Sequence, residues 1–133
     1  MAPLLTYTQY GPRILLLRKF SRAPEIRSDA CKSQRFSGAG YVSQCGRYNF
    51  WKYGSRATRR PIDFLEGDTV VVAVEQLGPH WPHCVVPFGI DNKAFQGAAR
   101  KGRSSVPRLN VLVRELFALQ VQHTCILDPF WLS

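Results

Sequence analysis

Acidic residues are scarce in this 133-residue chain: nine Asp and Glu stand against 18 Lys and Arg, a formal charge of +9. That balance points to a polyanionic partner, nucleic acid or an anionic membrane face. The four cysteines, Cys31, Cys45, Cys84 and Cys125, include no C-x-x-C pair, so neither a zinc ribbon nor a disulfide framework is written in their spacing. They read as reduced thiols, mostly in the core. No apolar run approaches the roughly 20 residues needed to cross a bilayer, and "ILLL" (14–17) is too short for the apolar core of a secretory signal. Repeats and low-complexity tracts are absent. These absences describe a soluble, intracellular chain with no membrane partner, placed in cytoplasm or nucleus. The first 24 residues hold Arg13, Arg18, Lys19 and Arg22 and no acid, a composition shared with mitochondrial transit peptides. The plainer reading is a basic leader or connection segment over 1–23.

What is present is a globular composition, 45% hydrophobic and 12% aromatic, of a length that fits one domain over 24–133. "EIRSDA" (25–30), "GAGYVSQCG" (38–46) and the aromatic "RYNFWKYG" (47–54) predict three strands of an antiparallel meander. Residues 59–78 carry the β-favouring "TVVVAV". Pro61 at a first turn, apolar spacings of three and four, and Gly78-Pro79 as a stop nevertheless predict a helix. "HCVVPFGID" (83–91) reads as a buried strand whose ladder is incomplete at Pro87. A short helix from Asn92 to about Arg100 and a longer one from Pro107 to about Gln122 follow. The latter carries Leu109, Leu112, Val113, Leu116 and Phe117 as one apolar stripe. "CILDPFWLS" predicts a last strand interrupted at Asp128 and Pro129. The order implies an α/β fold, a mixed five-stranded sheet covered by helices. Its first three strands form the meander, and its first, fourth and fifth can run parallel.

Three of the nine acids occupy unusual places. Asp29 interrupts the first strand, Glu66 lies on the apolar face of the first helix with Ile62, Leu65 and Val70, and Asp91 ends the fourth strand. A strand-terminal Asp is more often a helix cap than a catalyst, and either Asp91 or Asn92 could cap the helix at Lys93. Glu66 is the sharper signal, because a glutamate facing the sheet must leave water, which is costly unless something positive meets it. Glu75, nine residues on, faces solvent. If the first and fourth strands are neighbours, Asp29, Glu66 and Asp91 converge, and three carboxylates repel unless cations bind between them. Hard oxygen donors suit Mg²⁺ or Mn²⁺, and two such ions can activate water at a phosphodiester.

Directly after Asp91 comes a cluster made of Asn92, Lys93, Arg100, Lys101, Arg103, Ser104, Ser105 and Arg108. A charge run is usually a solvated face, but this position favours phosphate contact. Tyr48, Phe50, Trp51 and Tyr53 alternate on the third strand, and alternation alone does not say which pair is exposed. "HWPHC" with His123 and Cys125 offers zinc-type ligands in no finger spacing.

"SDACKSQRFSGAGYV", "IDFLEGDTVVVAVEQLGPHW", "GIDNKAFQGAARKGRSSVPRLNVLVRELFAL" and "CILDPFWLS" together resemble the RNase H-like region of retroelement reverse transcriptases, the DIRS-like elements in particular. The likeness covers roughly 24–133, with the Asp-Asn strand end and the Lys-Gly-Arg-Ser loop its most specific part. It implies an RNase H-like sheet and metal-dependent hydrolysis of the RNA strand of an RNA·DNA hybrid with Mg²⁺ or Mn²⁺. Asp29, Glu66 and Asp91 match the first three acids, and other parts of the reverse transcriptase would be partners. In the family a closing helix after the last strand carries a fourth acid. This chain stops at Ser133 before it, so the resemblance implies a C-terminally truncated fragment with its second metal position poorly held. The alternative is a non-catalytic nucleic-acid-binding remnant with the same fold.

Overall fold

The computed structural model describes residues 20–132; most of the basic leader, with the mitochondrial reading placed on it, lies outside them. The elements are β1 (Ser21–Arg22), β2 (Ile26–Lys32), β3 (Ser37–Ser43), β4 (Tyr48–Lys52), α1 (Ser55–Thr58), α2 (Ile62–Leu77), a 3₁₀ turn (Gly78–His80), β5 (Cys84–Ile90), α3 (Lys93–Lys101), α4 (Pro107–His123) and β6 (Cys125–Trp131). The mixed sheet was legible as five strands. A sixth, the two-residue β1, continues the line of β2 along β5, so Ser21 and Arg22 of the expected leader join the sheet. The turn α1 was also not anticipated.

β2, β3 and β4 form the antiparallel meander. β5 lies parallel between β2 on one side and β6 on the other, which sets the first and fourth predicted strands side by side as the site argument required. Pro87 is tolerated in this central strand because it faces a break: β1 pairs as far as Val85 and β2 begins at Phe88. The predicted interruption at Asp128 and Pro129 is not there. β6 runs unbroken in register with β5. Within the described sheet β6 pairs only with β5, so Pro129 removes no ladder bond. The Pro129 carbonyl accepts instead from Gln96 Nε2 at 3.2 Å.

α2 packs on β2 and β3 with one flank and on α4 with another, which explains why it is apolar around most of its circumference. Leu65, Val70, Val71, Ala73, Val74 and Leu77 are all buried. Two residues assigned to apolar stripes are only partly covered: Ile62, in the first turn of α2, is 42% exposed and Phe117 50%. The cysteines also depart from expectation. Cys125 is buried, but Cys31 on the open side of β2 and Cys45 in the turn after β3 are exposed.

Gly67, an unfavourable residue inside a helix, is where α2 meets its neighbours. A Cβ there would stand 2.6 Å from the Phe95 ring and 2.8 Å from Leu112 Cδ1, contacts that real side chains do not make. Gly67→Ala is therefore expected to destabilise the fold by about 1–3 kcal/mol through overpacking, the reverse of the helix-propensity effect. Urea denaturation checks this, and a stabilised variant would show that the three helices do not meet at Gly67.

Candidate metal centre and nucleic-acid interface

Three elements deliver the carboxylates. Asp29 stands on β2 in the alternating pattern that buries Ile26, Ser28 and Ala30 and exposes Arg27, Asp29 and Cys31. Glu66 projects from the first turns of α2 with 5% of its surface exposed. Asp91 follows the last residue of β5. One oxygen from each lies within 4.8 Å of the others, and among the described residues this is the one such group of three or more metal-ligating side chains. The histidines and cysteines of the zinc alternative form no comparable group.

The ambiguity between Asp91 and Asn92 is settled by α3. Asn92 is its N-cap, its Oδ1 accepting from the Phe95 amide at 2.9 Å. Asp91 is thus free of capping and exposed. Asp29 Oδ1 accepts from the Ala30 amide at 2.9 Å, which orients the carboxylate. Glu66 Oε2 is buried without a hydrogen-bond partner. Burial first, then the charge and contact of Asp29, push the Glu66 carboxyl up to about 8; the Ala30 amide opposes this and Asp91 adds to it. A buried carboxylate with an unpartnered oxygen, grouped with two more carboxylates, suits a hard divalent cation, which would replace the proton that Glu66 otherwise retains. Asp128 has no place in the group. It lies within β6 opposite Pro87, well down the strand from Asp91.

The basic cluster is brought together in part. Lys93, Lys101, Arg103, Ser104 and Ser105 line one pocket of about 640 Å³ beside α3. Arg108 is held elsewhere, its guanidinium donating to both Asp63 oxygens at 2.9 and 2.7 Å. Arg100 reaches the Pro129 carbonyl at 3.4 Å, and Asn92 is engaged as the cap. A second groove, about 690 Å³, runs from Asp29, Asp91 and Leu132 across the open face of the sheet to Tyr48 and Phe50. The four aromatics of β4 sort accordingly: Trp51 and Tyr53 pack toward the core, while Tyr48 and Phe50 are 69% and 76% exposed. Gly40, opposite Asp29 in the β2–β3 register, was not singled out from the sequence, although the "GAG" run marks a place where side chains are kept out.

No family model and no curated protein matches the chain. Solved structures do. The fold is that of ribonuclease H. RNase H1 from the halophilic archaeon Halobacterium salinarum is similar with a TM-score of 0.65 at 13% identity, over 83% of this chain and 85% of that one. The N-terminal RNase H domain of Rv2228c from Mycobacterium tuberculosis, solved as a fusion with maltose-binding protein, gives a TM-score of 0.63 at 13% identity, with 84% of each chain covered. The mixed sheet with helices matches that RNase H-like architecture.

In metal-free protein, folding takes up a proton at Glu66 between its ordinary value of 4.5 and its raised value of about 8. This contribution is complete below pH 4.5 and disappears as pH rises through 8. Unfolding free energies from urea denaturation in EDTA should fall between pH 5 and 8, by up to about 1.4 kcal/mol per pH unit. Glu66→Gln should flatten the profile, and Mg²⁺ should restore stability at the alkaline end. A wild-type profile that matches Glu66→Gln would contradict the placement of Glu66.

Proposed function

We propose that this domain hydrolyses phosphodiesters of the RNA strand in an RNA·DNA hybrid with Mg²⁺ or Mn²⁺. The observation that carries the reading is the convergence of Asp29, Glu66 and Asp91, one oxygen of each within 4.8 Å of the others, with a buried Glu66 oxygen left without a hydrogen-bond partner; the RNase H fold supports it. Asp29 and Asp91, both exposed, would hold the ion from the solvent side and Glu66 from within. When bound, the ion supplies an activated water and charge neutralisation at the phosphate. The chain's own residues do the rest. Asn92 keeps Asp91 out of the helix cap, the Ala30 amide orients Asp29, and Lys93, Lys101, Arg103, Ser104 and Ser105 offer donors to the backbone of the hybrid.

The wider setting we propose is the RNase H-like region of a DIRS-like retroelement reverse transcriptase, acting in cytoplasm or nucleus with other parts of that enzyme as partners. Its support is the "GIDNKAFQGAARKGRSS" and "IDFLEGDTVVVAVEQLGPHW" likeness. A second reading, a non-catalytic domain that only binds nucleic acid, is favoured by one observation: among the described residues the acid group has three members and no fourth.

Cleavage of a labelled hybrid separates the two. Mg²⁺-dependent cutting is expected, with Asp91→Asn and Glu66→Gln each reducing the rate at least about 100-fold while hybrid binding persists. Binding without any metal-dependent cut would leave the second reading. Lys101→Ala with Arg103→Ala should weaken hybrid binding and lower the slope of log affinity against log salt by about 2. An unchanged slope would remove the pocket beside α3 from the interface.

A further inference from the structure

The open face of the sheet carries two exposed rings that neither the core nor the metal centre uses. Tyr48 and Phe50, two apart on β4, stack with centroids 6.4 Å apart and planes within 8°, and Val42 beside them is 53% exposed. The register places these residues in rows across the sheet. One row reads Asp29–Gly40–Phe50 and the next Arg27–Val42–Tyr48; the row on the other side is Cys31–Gly38–Lys52. Gly40 is thus the bare floor between a metal-centre carboxylate and an exposed ring. A Cβ on it would press against the Asn49 carbonyl at 2.9 Å and Phe50 Cβ at 3.1 Å. Two strand spacings, about 10 Å, separate Asp29 from Phe50, and the groove linking them is continuous. That span is one to two nucleotides along an extended strand.

The occupant of this groove must be flat, apolar on its faces and joined to negative charge. Flat, because two near-parallel exposed rings present π faces; anionic along its backbone, because Lys52 stands in one flanking row, over the Phe36 ring at 5.7 Å, while Arg27 in the other is already paired with Glu25 at 2.6 Å. We infer that Tyr48 and Phe50 are a stacking platform for unpaired nucleotides of the strand whose phosphate lies at Asp29, Glu66 and Asp91. The inference rests on the nuclease reading for the identity of that strand, but the platform itself is defined by binding. The domain would then prefer a hybrid that carries a single-stranded extension, with duplex on the α3 side of the carboxylates and unpaired bases on the sheet.

The test is fluorescence anisotropy in EDTA, where no cleavage occurs, with three probes: a blunt hybrid, the same hybrid with an unpaired RNA extension, and the same with an unpaired DNA extension. Wild type should bind an extended hybrid more tightly than the blunt one. Tyr48→Ala with Phe50→Ala, both surface changes, should lose that advantage by about tenfold or more, since stacking on one ring is worth about that per base. Tyr48→Phe with Phe50→Tyr should keep it, and blunt-hybrid affinity should be unchanged throughout. Preference for the RNA or the DNA extension identifies the strand, and a DNA preference would overturn its assignment to the cleaved strand. Equal affinity for blunt and extended probes in wild type, or an alanine pair that keeps the preference, would overturn the platform. So would sedimentation showing that the rings join two copies of the chain. Asp91→Asn separates the two claims: it should lose cleavage and retain the extension preference. Loss of cleavage activity in every protein, with the preference intact, would remove the nuclease reading and leave the platform.

Discussion

Repulsion among three carboxylates, one of them out of water, is the constraint around which this domain is arranged. Burying Glu66 is unfavourable, and holding its oxygen within 4.8 Å of Asp29 and Asp91 oxygens adds to the cost. A fold of marginal stability keeps such a cluster only where something rigid enforces it. That rigidity comes from β5, paired on both sides, and from α2, wedged between the sheet and α4 with Gly67 permitting the close approach. On the reading proposed above, the cluster is neutralised either by a proton on Glu66 or by a divalent cation.

The division of labour at the end of β5 follows from adjacent residues with different tasks. Asn92 satisfies an amide at the start of α3, and Asp91, relieved of that, faces the groove. Asp29 and Asp91 border the groove on the open sheet face, and Lys93, two residues past Asp91, borders the pocket beside α3, so on the reading proposed above a strand at the carboxylates has both the sheet face and basic residues within reach. Of the nine acids set against 18 basic residues, three converge in one group, which on the reading proposed above holds the metal while the basic residues meet phosphates.

Much of this was legible in the residues. The meander showed in two-residue alternation, α2 in its three- and four-residue spacing despite "TVVVAV", and the acid trio in the contradiction of a glutamate on an apolar face. What was not legible depended on neighbours in space. Asp128 and Pro129 read as a break because proline cannot donate to a ladder, but pairing on one side left that donor unneeded. Phe117 follows the stripe of α4 in sequence, yet half of it remains exposed. Arg108 belongs to a basic run by position and to Asp63 by distance. Whether Tyr48 or Trp51 faces outward depends on the side of the sheet the helices cover, which alternation does not encode. The four cysteines read as mostly core thiols by residue type, and Cys31 and Cys45 proved exposed by place.

The account is tested most directly by calorimetric titration of the metal-free protein with Mg²⁺ or Mn²⁺ at pH 7, in buffers of different ionisation enthalpy. With Glu66 held near 8, metal entering between the three carboxylates must displace close to one proton, and Glu66→Gln must bind more weakly with that release gone. Metal binding with no proton released, or with the release intact in Glu66→Gln, would contradict it.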